Sequence, residues 1–512
     1  MSTSLIRGRK VICGIEPDGS PKIVSDGAVL QRDGVIEAIG AFSELQNTAV
    51  DEVIGSEDHV ICPGFVNAHH HVGLTPLQLG APDLPLELWI VRRIASRFVD
   101  PYLDTLYSAF ELLSSGVTTV QHLHGRAPAP VSRVLKVASE IIRAYQDVGM
   151  RVSYSYGLRD QNRIVYEDDQ HFLKRLSPDL APLAADLLKD QTLTADEALL
   201  VFEELHAKYK RERRVKIQLA PVNFHWCTDR AIERTAETAR RHGVPMHMHV
   251  LETALQREYA QRRVGGSVVK HLRKLGALGQ DMTIGHGVWV TEDDIDILAE
   301  TGTCVCHNCS SNLRLRSGIA PLNAYRQRGI NIALGIDEAG LNDDRDMLTE
   351  MRLALRMHRV PGLDESDVPS ANEIFKMATL GGAKTTPFGS TIGKLEVGAG
   401  ADMVIFDWNQ ISFPYLSDDV PVVDALVQRA RMNGIHAVIV DGEVVLRDGH
   451  FTRVDQTASM QELARQMKLA PNAVDDRNRK LGFALLDYAR NIYSDYLGAK
   501  RGQPFYRSNA RD

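Results

Sequence analysis

The chain has 512 residues, of which 44% are hydrophobic and 24% charged, and its formal net charge is −7. This length exceeds one small domain but fits a large barrel with an accessory domain, and the composition is that of an ordinary globular protein. The mild negative charge gives no reason to expect nucleic acid or an anionic membrane as a partner.

The sequence offers no sign of secretion or membrane insertion. Residues 1–14 include basic residues but no apolar run long enough for a signal peptide, and no stretch of about 18 apolar residues follows. Six cysteines in a chain of this size do not indicate a disulfide framework. The cytoplasm is therefore the predicted location.

Short β segments at the two ends of the chain predict one small module. Near the N-terminus, the segments Lys10–Cys13, Gly27–Gln31 and Val35–Ile39 are separated by turn residues. Near the C-terminus, residues 393–407 and 437–446 read alike, with a turn at Asp441-Gly442. Each group is too small to bury a core, so we expect a β-sandwich built from both chain ends.

Between these segments, apolar β-like runs alternate with longer helical patterns, as in βα units around a parallel sheet. The eight predicted strands end near His71, Leu123, Gly157, Pro221, Val250, His286, His307 and Asp337. Eight units over roughly 330 residues predict an α/β fold, a (β/α)8 TIM-type barrel with insertions. The predicted division is residues 1–62 and 393–455 for the β-sandwich, 63–392 for the barrel and 456–512 for a helical C-terminal extension, expected at the surface or in a subunit contact.

The stretch Pro63–His71 ends in three consecutive histidines. Alternate residues of a strand share a face, so His69 and His71 should project together while His70 points the other way. Two neutral imidazoles at the end of a buried strand form half of a site for a divalent metal. Taken alone, such a pair is more often an accidental cluster.

Other predicted strand ends offer the missing ligands. The fifth carries His247 and His249 on one face, the sixth ends at His286 and the eighth at Asp337. Each has a bland interpretation, since a lone interior histidine is usually a core residue and Asp337 could cap a helix. In a barrel, however, active residues lie at these strand ends. Together they predict a mononuclear hydrolytic site with room for water.

A second possible metal motif is Cys304-x-Cys306-x-x-Cys309. It lies in a single strand-like run without a second cysteine pair, which disfavours a thiolate site.

The chain resembles the amidohydrolase superfamily, and within it the cytosine-deaminase-like group that includes triazine hydrolases and guanine deaminase. The matching stretches are Pro63–His71, His249–Glu252, Gly285–Gly287, His307–Pro321, Asp337 with Asn342–Met347, Ala378–Ala383 and Gly393–Asp402. They cover about residues 1–450 in order and spacing. The resemblance implies a metal-dependent hydrolase of non-peptide carbon–nitrogen bonds that uses metal-activated water.

The resemblance also implies a role for each site residue. It assigns one Zn²⁺ or Fe²⁺ to four ligands, His69, His71, His249 and Asp337, and work on the water and the substrate to Glu252 and His286. Asp337, as a ligand beside that water, can also act in catalysis by accepting its proton or orienting it. Two-metal relatives place a bridging lysine at the end of the fourth strand. Lys216 lies at the opposite end of that strand here, so one metal is expected.

Three interpretations of the activity remain open. An aminohydrolase that removes an exocyclic amine from a small nitrogen heterocycle is favoured. The alternative keeps the same site but cleaves an amide, urea or carbamate-type bond, for example of an aryl urea, or removes halide from a triazine-type ring. A catalytically silent structural relative is disfavoured by the intact site.

Further residues are candidates for contact with a small-molecule substrate. They are Trp89, His122, His124, His225, Trp226, Asn308 and Glu338. Glu338 directly follows Asp337 and supplies a second carboxylate, which would favour an amine or cationic leaving group. The polar insertion at residues 159–189 is a candidate lid. A homodimer or higher homo-oligomer is the expected assembly.

Overall fold

The computed structural model describes residues 3–71, 73–125, 129–191 and 193–497. The strands are β1 Thr3–Ile15, β2 Pro21–Arg32, β3 Val35–Ala41, β4 Glu52–Pro63, β5 Phe65–His70, β6 Val117–His124, β7 Arg151–Leu158, β8 Val215–Ile217, β9 Ala220–Pro221, β10 Met246–Val250, β11 Met282–His286, β12 Cys304–His307, β13 Ile332–Leu334, β14 Met403–Asp407, β15 Ile435–Val440, β16 Glu443–Arg447 and β17 His450–Phe451.

The helices alternate with the barrel strands and also follow them. They are α1 Phe42–Leu45, α2 Leu86–Arg92, α3 Pro101–Ser114, α4 Val131–Val148, α5 Asp169–Leu173, α6 Ala181–Gln191, α7 Ala195–Tyr209, α8 Asp229–His242, α9 Ala254–Val264, α10 Val268–Lys274, α11 Glu292–Thr301, α12 Cys309–Arg314, α13 Leu322–Gln327, α14 Met347–Met357, α15 Ala371–Lys376, α16 Trp408–Ser412, α17 Val422–Arg429, α18 Gln456–Met467 and α19 Ala473–Ser494.

A closed barrel of parallel strands forms the centre of the molecule. Strands β5 to β8, with β9 beside β7, form one half, and β10 to β13 form the other. Bridges from Leu219 to Met246 and from His70 to Asp337 join the two halves on either side. The predicted (β/α)8 barrel is confirmed.

Strands from both chain ends combine in one module, also as expected. They form a continuous eight-stranded sheet in the order β17-β16-β15-β14-β4-β1-β2-β3. Alternate residues of β14 face opposite sides, so that Val404 and Phe406 pack on the barrel core while Met403 and Ile405 pack in the module's own core. This two-sided burial fixes the module against the barrel.

A buried ion-pair group ties the start of β7 to this sheet. The guanidinium of Arg151, which is 4% exposed, lies 2.7 Å from Asp402 Oδ2 and 2.9 Å from Asp441 Oδ1. Burial alone would lower the pKa of Arg151, but the two carboxylates outweigh it and raise that pKa. Asp441 also opens the predicted turn, with a φ of 54°.

The insertion after β7 and the C-terminal extension pack together. Helix α19 buries Leu481, Leu485 and Ala489, spaced four residues apart on one face, against Tyr166 and Phe172 of the insertion. The extension was expected at the surface or in a subunit contact, yet this face is covered by the chain itself. Residues 498–512 of the predicted extension lie outside the described residues.

The predicted boundaries at residues 62, 392 and 455 stay predictions. Within the described part of the chain, none of the helices has the length and apolar character needed to cross a membrane.

Candidate metal centre

Three imidazoles converge at the C-terminal end of the barrel. His69 Nε2 lies 3.0 Å from His71 Nε2, which lies 3.2 Å from His249 Nε2. Strand alternation places them, because β5 presents His69 inward, His71 follows directly after β5 on the same side, and β10 presents His249 toward the same centre. His70 points away and contacts the backbone oxygen of Asp337 at 3.3 Å.

Backbone carbonyls fix the tautomer of two of these rings. His71 Nδ1 lies 2.6 Å from Leu123 O, and His249 Nδ1 lies 2.7 Å from Val222 O. A carbonyl only accepts, so each Nδ1 carries a proton, and each ring in its neutral form turns an Nε2 lone pair to the centre. Lone pairs this close repel one another unless a cation lies between them, as in histidine–zinc sites.

A carboxylate completes the group. Asp337 Oδ1 lies 3.2 Å from His71 Nε2 and 3.7 Å from His69 Nε2, while Asp337 Oδ2 accepts a hydrogen bond from Ser311 Oγ at 2.6 Å. Two ligands about 2.1 Å from a tetrahedral Zn²⁺ are separated by about 3.4 Å. The spacing of these donor atoms makes a metal site plausible, and the ligand set His69, His71, His249 and Asp337 stays a prediction.

Backbone strain turns two of the catalytic candidates into the site. His286 has a φ of 72° and Asp337 a φ of 65°, a region that residues with a Cβ rarely adopt. Such strain, of order 1–3 kcal/mol, persists where the surroundings over-determine it and clusters at functional sites. Asn312 Oδ1 accepts from His286 Nδ1 at 2.9 Å and helps to hold the turned ring.

Glu252 lies across the site from Asp337. Its Oε2 is 3.7 Å from His286 Nε2, and its Oε1 is 3.4 Å from Ser317 Oγ. The carboxyl is 3% exposed. Burial, followed by the charges of Asp337 and Glu87, raises the pKa of Glu252 well above its usual value. The raised pKa favours the protonated form of Glu252, which is able to act as an acid.

The other charges are arranged for a cation. Burial lowers the pKa of His69 and of His249 well below the usual range, which favours the neutral form that a metal ligand must have. At His71 the hydrogen bond and charge of Asp337 outweigh burial and raise the pKa. Burial would raise the pKa of Asp337, but its hydrogen bond with His71 and the nearby imidazoles hold that pKa far below its usual value. Asp337 therefore supplies a full negative charge.

A supporting position was missed as a functional residue. His247 lies on the same face of β10 as His249, and its Nε2 is 2.8 Å from His69 Nδ1. When His69 carries its proton on Nδ1, His247 Nε2 accepts it, and the Nε2 lone pair of His69 then faces the centre. The signal in the sequence was that His247 and His249 lie on the same face of one strand, so their side chains are expected to lie next to each other inside the barrel.

Three of the predicted substrate contacts lie beside the cluster. Trp89, Glu338, Ser311 and Leu315 border one small cavity. Glu338 Oε1 pairs with Arg93, whose guanidinium also lies over the Trp89 ring at 4.4 Å. Asn308 Nδ2 lies 3.3 Å from His286 Nε2, so it contacts a catalytic candidate.

The other four lie farther from the cluster. His122 and His124 share a face, as predicted, and their Nδ1 atoms contact Tyr145 Oη of α4 and Tyr154 Oη of β7 at 2.8 and 2.9 Å. The alternation of β6 explains this, because Leu123 lies between them. The ring of His122 also lies 5.3 Å from that of His70 and 5.9 Å from that of His124, between centroids.

After the fourth strand, His225 is buried against Tyr166, with ring centroids 4.0 Å apart, and Trp226 is half-buried beside Arg159. These contacts belong to the packing of the insertion.

Two alternatives from the sequence can be placed. Lys216 Nζ donates to Glu212 O at 3.1 Å, at the end of its strand remote from the cluster, so it cannot bridge two ions there. The described residues include no metal-ligand group that combines Cys304, Cys306 and Cys309. Cys306 instead packs inside the barrel with Ala68 and Ala333.

A comparison with protein families matches residues 60–445 to the model of the amidohydrolase family. The chain belongs to the amidohydrolase family. It is 31% identical over 461 residues to a 5-methylthioadenosine/S-adenosylhomocysteine deaminase of Moorella thermoacetica, covering 89% of this chain and 97% of the relative. It is 28% identical over 468 residues to a 5'-deoxyadenosine deaminase of Methanosarcina mazei, covering 90% and 97%.

Solved structures show the same fold. An adenosine deaminase from Xanthomonas campestris with bound zinc matches at a TM-score of 0.77 and 24% identity, over 93% of this chain and 98% of that one. An atrazine chlorohydrolase from Arthrobacter aurescens complexed with zinc matches at 0.78 and 21% identity, over 90% and 99%. This amidohydrolase is thus a hydrolase acting on carbon–nitrogen bonds, as the sequence predicts, and its clustered histidines make a metal site plausible.

Proposed function

We propose that this amidohydrolase is an aminohydrolase that removes the exocyclic amine of a nitrogen heterocycle, with adenine-type rings as the first candidates. The observation that carries the proposal is the position of His286 Nε2, which lies 3.7 Å from both Glu252 Oε2 and Asp337 Oδ2. A protonated carboxyl and an ionised carboxylate beside one imidazole place an acid and a base within reach of one reacting carbon. The names of the deaminase relatives support the amine as leaving group.

We further propose that His69, His71, His249 and Asp337 hold one divalent ion, Zn²⁺ in preference to Fe²⁺. The converging lone pairs and the spacing of the donor atoms support this ligand set. When bound, such an ion supplies a water of lowered pKa and polarises the substrate. Zinc in the two solved relatives and the remote position of the Lys216 ammonium support a single zinc ion.

The protein's own groups then move the protons. Asp337 accepts a proton from the attacking water, and Glu252 donates its proton to the ring nitrogen next to the attacked carbon. Because the Nδ1 proton of His286 is held by Asn312, its Nε2 can accept a proton and return it to the departing amine. A carbon–oxygen bond forms, the exocyclic carbon–nitrogen bond breaks, ammonia leaves and an oxo group remains on the ring.

The cavity beside the cluster indicates where the ring would lie. Trp89 offers an aromatic wall, and Glu338 contributes a carboxyl to the lining. We propose that Glu338 faces the amine side of a small-molecule substrate. The Arg93 partner neutralises much of its charge, so it would orient the amine through a hydrogen bond.

A panel assay for released ammonia tests the function. Zinc-loaded protein is incubated with adenine nucleosides, free purines, pyrimidines, pterins, triazines and aryl ureas, and Asp337→Asn protein serves as the inactive control. We expect ammonia release from an aminopurine. Release of chloride would support the triazine-type hydrolase instead, and release of a substituted amine with carbon dioxide would support the urea-type hydrolase. The atrazine chlorohydrolase among the solved neighbours is the reason to test for chloride.

The cytoplasmic location, the homo-oligomeric assembly and the lid role of the insertion at residues 159–189 remain proposals. The packing of that insertion against the site's outer wall supports the last of them.

A further inference from the structure

The long C-terminal helix α19 approaches the outer wall of the site unusually closely. Gly482 lies in the middle of the helix, where glycine is unfavourable. A Cβ at this position would lie 2.5 Å from Ala95 N and 2.7 Å from Ala95 Cβ. The glycine therefore permits α19 to contact the backbone of the segment that follows α2. Helix α2 itself carries Glu87 and Trp89.

Two tyrosines near the end of α19 hold a single residue of the insertion. Tyr493 Oη accepts a hydrogen bond from Tyr166 N at 3.1 Å, and Tyr496 Oη donates one to Tyr166 O at 3.0 Å. We call Tyr166, Tyr493 and Tyr496 the tyrosine clasp. The backbone N–H and the carbonyl oxygen of Tyr166 are both hydrogen-bonded to tyrosines at the end of α19. The position of Tyr166 therefore depends on α19.

The clasp connects to the buried carboxyl of Glu87. Tyr166 Oη donates to Glu87 Oε1 at 3.0 Å, and Thr253 Oγ1 donates to the same oxygen. Glu87 is 3% exposed, and no ion pair with it occurs among the described residues. A buried carboxyl without a cation is costly, so its two hydroxyl donors are the groups that hold it in place.

Thr253 carries the connection to the catalytic carboxyl. It follows Glu252 directly and caps α9, accepting a hydrogen bond from Gln256 N at 3.2 Å. Gln256 Oε1 in turn accepts from Glu252 N at 2.9 Å. The turn that presents Glu252 is therefore held from one side by its own helix cap and from the other by Glu87.

We propose that α19 is a positioning element of the active site, which acts through the tyrosine clasp and Glu87 on the turn that carries Glu252. The proposal rests on the proposed function. A purely stabilising role of α19 would change the melting temperature but not the rate of the chemical step. A positioning role lowers kcat and leaves KM nearly unchanged, because a small displacement of a proton donor slows catalysis without removing a binding contact.

Single-oxygen deletions in the zinc-loaded full chain test this. Tyr166→Phe cuts the bond to Glu87, and the double variant Tyr493→Phe with Tyr496→Phe cuts the clasp. Tyr488→Phe is the matched control, since its hydroxyl accepts from Ser177 N at 3.3 Å in the same interface but not from Tyr166. We expect kcat to fall by about 10- to 100-fold in the first two, with KM within about threefold, and no such fall in the control.

A combination of the variants sharpens the result. Since the clasp and Tyr166 lie on one path, the triple variant should lose little more kcat than the worse of its parents. The proposal is overturned if kcat is unchanged in both test variants, if Tyr488→Phe loses as much, or if the two losses multiply.

Hydrogen–deuterium exchange separates this proposal from the proposed function. If no substrate of the panel is turned over, the proposed function fails, yet exchange in the peptide covering residues 250–256 still reports on the turn. Faster exchange there in both test variants, but not in Tyr488→Phe, supports the positioning role. Equal exchange in all four proteins overturns it.

Discussion

The role of Glu252 as a proton donor makes the sharpest prediction. Glu252→Gln keeps the shape of a side chain that is 3% exposed and contacts Ser317 and His286, but it removes the ionisable carboxyl. We expect kcat for ammonia release to fall by about 10²- to 10⁴-fold, the usual worth of a positioned acid–base group, which is about 2.7–5.5 kcal/mol of barrier. Metal content and melting temperature should not change, because Glu252 is not one of the four proposed ligands.

A matched variant gives the opposite pattern. His247→Leu removes the acceptor that lies 2.8 Å from His69 Nδ1 and so disturbs a ligand from behind. It should weaken metal affinity by about 10- to 100-fold, and excess zinc should restore its rate. Each variant is assayed for activity over a zinc titration. If zinc also rescues Glu252→Gln, then Glu252 orients His249 and the proton-donor role is refuted.

Three further predictions can be checked on the same preparations. Elemental analysis should find about one equivalent of zinc or iron, lost in His71→Ala and in Asp337→Asn; two firmly held ions would contradict the single-metal site. Mass spectrometry should show that the product gains an oxo group as ammonia leaves, and chloride or carbon dioxide would mean that Glu338 needs another explanation. Arg151→Met should lower the free energy of unfolding by about 3–5 kcal/mol, because the buried carboxylate of Asp402 loses its cation, while Asp441 keeps Arg213 and Arg214. The exposed Arg143→Met should change it by less than about 1 kcal/mol. Equal denaturation midpoints for these two variants would contradict the buried-pair argument.

Strand alternation was sufficient to predict part of the site. His69, His71 and His249 lie where a period of two places them, on the inner face at strand ends. The same rule fails for His286, because its neighbour Gly285 already faces inward, so that a Cβ there would lie 3.1 Å from His247 Nε2. Only the left-handed backbone at His286 turns its side chain back, and alternation does not predict such a turn.

The direction in which a pair of side chains on one strand points was harder to predict. Alternation correctly placed His122 and His124 together, but it does not say which face of a strand looks inward when both faces are buried. The tyrosine clasp was also beyond the sequence. Tyr166 and Tyr493 are in contact although they are 327 positions apart in the sequence, and no local sequence pattern predicts a contact between an insertion and a distant helix.

The order of strands in the terminal sheet has a consequence for how the protein is made. Strand β4 bonds to β1 on one edge, and its other edge pairs with β14, whose first residue, Met403, follows Pro63 by 340 positions. On the ribosome, that second edge of β4 stays unpaired until most of the chain has emerged, and an open apolar edge invites pairing with other chains. Truncation before residue 403 should therefore give aggregation rather than a smaller soluble barrel, and nascent chains of that length should depend on chaperones more than the finished protein does.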